Sequence, residues 1–139
     1  MAALLEKKRV LLLMPLIIFV TLQMMFGLVY GALIHHTKVT ITNTMSQAVT
    51  IHCRDKNTDK GYHVLQPNVG YSLWFIPNPI FKRTLWYCSF DWTEEGHNFD
   101  IYVQERDKCQ HRICSWLITE NGPCRVTNYP KNPECFPWN

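Results

Sequence analysis

The chain has 139 residues with 14 basic and 11 acidic side chains, a length that allows one small domain and excludes a multidomain enzyme. Its excess positive charge sits at the start: residues 1–31 hold Lys7, Lys8, Arg9 and Glu6, and the remaining 108 residues interleave 11 basic with 10 acidic side chains. That balance excludes a nucleic-acid binder, which needs clustered Lys and Arg to neutralise phosphates.

The first segment reads as a targeting sequence. Lys7-Lys8-Arg9 precede an apolar run from Val10 to Val29, and Val29-Tyr30-Gly31 offer small or aliphatic residues for cleavage before Ala32. Residues 1–31 are therefore expected to be a secretory signal peptide and residues 32–139 the domain. An uncleaved anchor is the competing reading, since about 20 apolar residues span a bilayer, but Pro15, Thr21 and Gln23 interrupt the run.

Beyond Ala32 the apolar residues alternate. Val39, Ile41 and Asn43 form a first strand, and Val49, Ile51 and Cys53 one face of a second, which the short polar turn at Asn43–Ser46 pairs with the first. Asp55–Lys60 reads as an exposed loop and Tyr62–Gln66 as an edge strand. Tyr71–Ile76 is apolar on both faces, as a central strand would be, until Pro77-Asn78-Pro79 stops its pairing. Lys82-Arg83 then lead into the densest stretch of the chain. There Trp86, Cys88, Phe90 and Trp92 alternate with Leu85, Tyr87, Ser89 and Asp91, then Phe99, Ile101 and Val103 with Asn98, Asp100, Tyr102 and Gln104. With Thr93-Glu94-Glu95-Gly96 between them, the two runs predict a hairpin over 84–103. After a charged loop at Glu105–Gln110, Cys114, Trp116 and Ile118 share a face. Asn121-Gly122 then turns the chain so that Cys124 and Val126 return beside them. The tail from Asn128 is expected to be irregular and pinned by Cys135.

About eight short strands without a helix outside the leader predict an all-β domain, a small antiparallel β-sandwich, with a closed barrel as the alternative. Cys53, Cys88, Cys109, Cys114, Cys124 and Cys135 all follow the leader, and an even count in a short exported chain predicts disulfides. Zinc is disfavoured because the nearest pair, Cys109 and Cys114, lacks Cys-x2-Cys spacing and a second pair. Six cysteines allow fifteen complete pairings. One arrangement places two bridges among Cys53, Cys88, Cys114 and Cys124 and a third between Cys109 and Cys135.

Chemistry is sparse. Asp91, Glu94, Glu95 and Asp100 invite comparison with a glycosidase carboxylate pair, but Glu94 and Glu95 lie in a hairpin loop, where solvated acids are ordinary. His52, His63, His97 and His111 are scattered. A Ser89-His97-Asp100 grouping has no nucleophile motif around it. Trp86, Trp92 and Trp116 share faces with core residues, which favours packing over sugar stacking. No catalytic residue, metal or cofactor is expected.

Seven pieces in order carry a resemblance: Val49-Thr-Ile-His-Cys53, Asp59-Lys-Gly-Tyr-His63-Val-Leu65, Trp86-Tyr-Cys88-Ser-Phe90-Asp-Trp92, Phe99-Asp-Ile-Tyr-Val103, Cys114-Ser-Trp116, Asn121-Gly-Pro-Cys124 and Cys135-Phe-Pro-Trp138-Asn139. Over about Val39 to Asn139 the chain resembles the plant self-incompatibility protein S1 family, the S-protein homologues. The resemblance implies a secreted, disulfide-bonded β-sandwich without enzymatic activity that signals between cells by binding a cell-surface protein through hydrophilic loops. Pollen–pistil recognition is the role of the family's namesakes. The expected contact residues are Glu94, Glu95, Arg106, Asp107 and Lys108, with no nucleic-acid partner and no stable membrane insertion after signal cleavage. The alternative function is a defence protein or small lectin acting on a foreign wall or membrane.

Overall fold

The computed structural model describes residues 1–127 and 132–139, so Asn128 and Pro130 of the expected irregular tail lie outside the described residues. It contains two units, Met1–His35 and His36–Asn139. The first is one helix, α1 (Ala2–Leu33). It is long and apolar enough to cross a membrane, and a secretory signal passes the same test.

The second unit is a sandwich of two sheets. Its strands are β1 (Thr37–Asn43), β2 (Val49–Arg54), β3 (Asp59–Leu65), β4 (Gly70–Phe75), β5 (Leu85–Trp92), β6 (Glu95–Val103), β7 (Ile113–Thr119), β8 (Gly122–Val126) and the short β9 (Glu134–Cys135). One sheet has the order β4-β1-β7-β8-β9, the other β3-β2-β5-β6. Their inner faces carry the alternating residues: Val39 and Ile41, Val49 and Ile51, Trp86, Cys88 and Phe90, Phe99 and Ile101, Trp116 and Ile118, all buried. Phe99 meets Trp116 edge-on across the gap, centroids 5.2 Å apart, the arrangement the ring quadrupoles favour.

The hairpin over 84–103 forms, with Trp92 opposite Glu95, so its turn is tighter than the four-residue loop expected. Thr93 at φ 45° takes the bend. Gly96 follows it; a Cβ there would lie 2.7 Å from Oδ1 of the exposed Asp91 side chain, which would have to turn aside. The β7–β8 return at Asn121-Gly122 also forms. Gly122 has φ +140°, and a Cβ would run into the Phe136 carbonyl.

Four expectations are corrected. First, β1 and β2 do not pair; they belong to different sheets. The reason is Asn43, which is fully buried. Its Nδ2 donates to the carbonyls of Gln47 (2.8 Å) and Leu65 (2.9 Å), and its Oδ1 accepts from Met45 N–H (2.9 Å). These bonds fold residues 43–48 into an arch between sheets. Instead β1 pairs antiparallel with β4 and parallel with β7, so the sandwich is not wholly antiparallel. Second, β4 is an edge strand, with Leu73 buried and Trp74 exposed. Third, a register shift between β5 and β6 sets Trp86 opposite Tyr102 and Cys88 opposite Phe99, so β6 carries an extra residue. This bulge turns Tyr102, expected on the outer face, into the core.

The fourth concerns the disulfides, which are Cys53–Cys88, Cys109–Cys114 and Cys124–Cys135. Cys109 does not reach Cys135. Cys124 and Cys135 face each other across β8 and β9, as Cys53 and Cys88 do across β2 and β5, with Cα separations of 3.9 and 4.1 Å. The bridges span 35, 5 and 11 residues. On loop-closure entropy they restrict the unfolded chain by about 4, 2 and 3 kcal/mol respectively. Replacing each pair by alanine should therefore destabilise in the order Cys53/Cys88, then Cys124/Cys135, then Cys109/Cys114. Denaturant midpoints of the three double variants test this order.

Candidate functional site

The sandwich has two ends. Strand β5 enters at Leu85 and leaves at Trp92, and its eight residues span roughly 25 Å. At the far end, the tip, lie the β5–β6 turn, the β1–β2 arch and the β7–β8 turn. At the near end, the base, lie the β2–β3, β4–β5 and β6–β7 connections. The residues expected to form one contact surface are thereby divided: Glu94 and Glu95 are at the tip, Arg106, Asp107 and Lys108 at the base.

The tip is braced by aromatics. His97 stacks on Trp92 at 4.8 Å and on Trp138 at 5.1 Å, and its Nε2 lies 3.3 Å from Glu95 Oε2. Trp138 Nε1 donates to the Glu120 carbonyl (3.0 Å), which ties the C-terminal segment to the β7–β8 turn. Thr93 Oγ1 donates to Gln47 Oε1 (3.2 Å). Glu94 and Glu95 remain exposed on this support. The Ser89-His97-Asp100 grouping, set aside from the sequence, does not assemble: Ser89 pairs with Asn98 and His97 with Phe90, so the Ser89 and His97 side chains leave opposite faces of the hairpin.

At the base Asp107 is not a loop acid open to solvent, as expected; it is buried, 4 % exposed. Its carboxylate accepts from Val103 N–H (2.8 Å), Arg106 Nε and Nη2 (2.9 and 2.7 Å) and Arg125 Nη1 (2.6 Å). A carboxylate buried this deeply needs such charged donors around it. Arg106 is half-buried, its guanidinium 5.1 to 5.4 Å from the rings of Phe99, Trp116 and Phe136, and Nη2 also donates to the Asp100 carbonyl (2.6 Å). Arg106 and Asp107 are therefore packing residues, and of that trio Lys108 alone is exposed. Arg125 and Glu134, 2.5 Å apart, were missed in the sequence. Nothing local marks Arg125 as a partner of a residue 18 positions earlier. Nearby, the Gly61 N–H and then the His52 ring hold the exposed Asp59 carboxyl below its ordinary pKa.

Charges that alternate along the chain separate in the fold. The tip carries Asp91, Glu94, Glu95 and Glu120 and, among the described residues, no Lys or Arg. Every described Lys and Arg of the domain, from Lys38 to Arg125, lies toward the base. No group of three or more His, Cys, Asp or Glu among the described residues could hold a metal ion.

The family model for plant self-incompatibility protein S1 matches residues 38–138. The chain belongs to the plant self-incompatibility protein S1 family. S-protein homolog 2 of Arabidopsis thaliana is 41% identical over 109 residues, 73% of this chain and 67% of that protein. S-protein homolog 5 of the same plant is 40% identical over 119 residues, covering 83% and 90%. A solved structure of SPH proteins, described as a widespread family of small, highly stable, secreted proteins from plants, superposes with a TM-score of 0.57 at 16% identity, covering 76% of this chain and 96% of that one. The S1 family is not an enzyme family. Family membership, the apolar N-terminal helix and three disulfides identify this S1-family protein as secreted.

The burial of Asp107 makes a stability prediction. Asp107→Ala should cost about 3–5 kcal/mol, because the partly buried Arg106 guanidinium loses its counter-charge and Arg125 keeps only Glu134, whereas Lys108→Ala should change stability by no more than about 0.5 kcal/mol. Urea unfolding with the disulfides intact distinguishes the two.

Proposed function

We propose that this protein is a secreted, non-enzymatic signalling ligand of the S1 type that binds a cell-surface protein through its polar loops. The observation that carries the reading is the braced acidic tip. Glu94 and Glu95 stand exposed on a turn fixed by Trp92, His97 and Trp138, and no described Lys or Arg at that end neutralises them. An acidic patch on a rigid support steers and orients a basic partner surface. Loops on a stapled scaffold change without disturbing the core, as a recognition module requires. Arg106 and Asp107 leave the contact set because they hold each other; Lys108 belongs to the opposite end.

The ligand in this proposal is residues 32–139, released by cleavage before Ala32. N-terminal sequencing of the secreted protein should read from Ala32, and a start at Met1 or Ala2 would overturn the assignment.

The contact is tested with labelled, oxidised protein on cells of the source tissue. Glu94→Lys/Glu95→Lys should lower cell binding at least tenfold while leaving the unfolding midpoint in place. Unchanged binding would remove the tip from the contact, and binding that survives full reduction would remove the folded scaffold from it. A glycan array should stay blank; dependence on a sugar would favour the lectin alternative.

A further inference from the structure

The β4–β5 connection, residues 76–84, lies outside the receptor reading. It presents Ile80 and Phe81 to solvent, 78 % and 67 % exposed, immediately before Lys82 and Arg83. Looseness does not explain this exposure. Asn78 Oδ1 accepts from the backbone N–H groups of Ile80 (3.0 Å) and Phe81 (2.9 Å), while Asn78 N–H donates to Thr84 Oγ1 (2.8 Å). Gln104 Nε2 donates to the Asn78 carbonyl (2.9 Å), and Gln104 Oε1 accepts from Thr84 N–H (3.1 Å). Pro77 and Pro79 restrict the backbone further. The loop is thus held in a shape that points two large apolar side chains outward. Beside it, Trp74 is 60 % exposed and carries Lys38 Nζ 5.0 Å from its ring centroid.

We propose that this loop docks the protein peripherally on an anionic lipid bilayer. Ile80 and Phe81 enter the boundary between headgroups and acyl chains, Lys82, Arg83 and Lys38 meet lipid phosphates, and Trp74 lies at the interface. Each part has its physical reason. Apolar side chains leave water for the boundary region. Lys and Arg near an anionic surface add attraction that salt screens. Tryptophan, apolar with one polar N–H, favours the headgroup level. Charge complementarity selects this occupant: the base is the basic half of the domain, so a second copy apposed through it would be repelled. With two side chains inserted and no spanning segment from the domain, attachment is reversible.

The test is cosedimentation of the secreted protein with protein-free vesicles, either phosphatidylcholine alone or phosphatidylcholine mixed with phosphatidylserine. Binding should appear on the mixed vesicles, weaken as salt is raised, and stay at least tenfold lower on phosphatidylcholine alone. Ile80→Ser/Phe81→Ser should lose at least tenfold on the mixed vesicles. Lys82→Gln/Arg83→Gln should lose roughly tenfold and much of the salt dependence, both variants keeping the parent unfolding midpoint. Glu94→Lys/Glu95→Lys should bind vesicles no less tightly than the parent, so failure of the receptor reading and failure of this one are told apart. Absence of binding to the mixed vesicles, or full binding by the Ile80/Phe81 variant, overturns the proposal. Loss of cell binding by that variant without vesicle binding would reassign the loop to a protein partner.

Discussion

One buried carboxylate fixes how the two sheets meet at the base. Asp107 accepts from the backbone at the end of β6 in one sheet and from Arg125 on β8 in the other, and it orients Arg106 over Phe99, Trp116 and Phe136, rings drawn from both sides of the core. No disulfide joins a strand of one sheet to a strand of the other. Cys53–Cys88 lies within one sheet, Cys124–Cys135 within the second, and Cys109–Cys114 closes the connection that enters β7. The relative position of the sheets therefore rests on apolar packing, on Asp107 at the base and on Asn43 with Trp138 at the tip. Apolar packing is non-directional, and the buried polar groups supply the direction. A carboxylate needing several charged donors at once, or an amide needing two carbonyls, tolerates very few relative placements.

How much of this was legible follows from the range of each interaction. The hairpin over 84–103 could be read because Trp86, Cys88, Phe90 and Trp92 repeat with period two beside a turn, all within twenty residues. The arch at Asn43 could not, because a short polar turn after a strand looks the same whether the chain returns beside that strand or crosses to another sheet; Leu65, which decides it, is 22 residues away. Parallel pairing of β1 with β7 is more remote still and leaves no local mark. The bulge that buries Tyr102 breaks the alternation that was the signal for that strand. At the candidate site, the exposure of Glu94 and Glu95 was legible from their place in a turn. The burial of Asp107 was not: a charged loop reads as solvated unless its partners, here Arg106 and Arg125, are known.

Charge shows the same limit. Along the chain, acidic and basic residues are interleaved, which excludes a nucleic-acid groove, but strand reversal sorts them. Successive connections alternate between the two ends of a sandwich, so a sequence whose alternate loops are basic folds into a domain with one basic end. Lys56, Lys82-Arg83 and Arg106–Lys108 belong to every second connection; the turns between them hold Glu94 and Glu120, with Glu95 directly after, and no Lys or Arg. A net charge near zero thus conceals a strong dipole along the strands.

That dipole makes the two proposed surfaces compatible. Because the strands set the ends roughly 25 Å apart, a domain resting on anionic lipid by its base would hold Glu94 and Glu95 away from the headgroups, where like charge would otherwise repel them. Lipid attachment would also confine the ligand near the membrane and raise its effective concentration for a surface protein without any new contact to that protein. Neither surface takes a side chain from the packed core: the loop bearing Ile80 and Phe81 is held by Asn78 and, through Asn78 and Thr84, by Gln104, and the tip glutamates stand on a turn braced by stacked rings. The staples within each sheet and the polar ties between sheets leave the exposed side chains of both surfaces free of structural duty, and side chains of that kind can acquire a partner at either end independently.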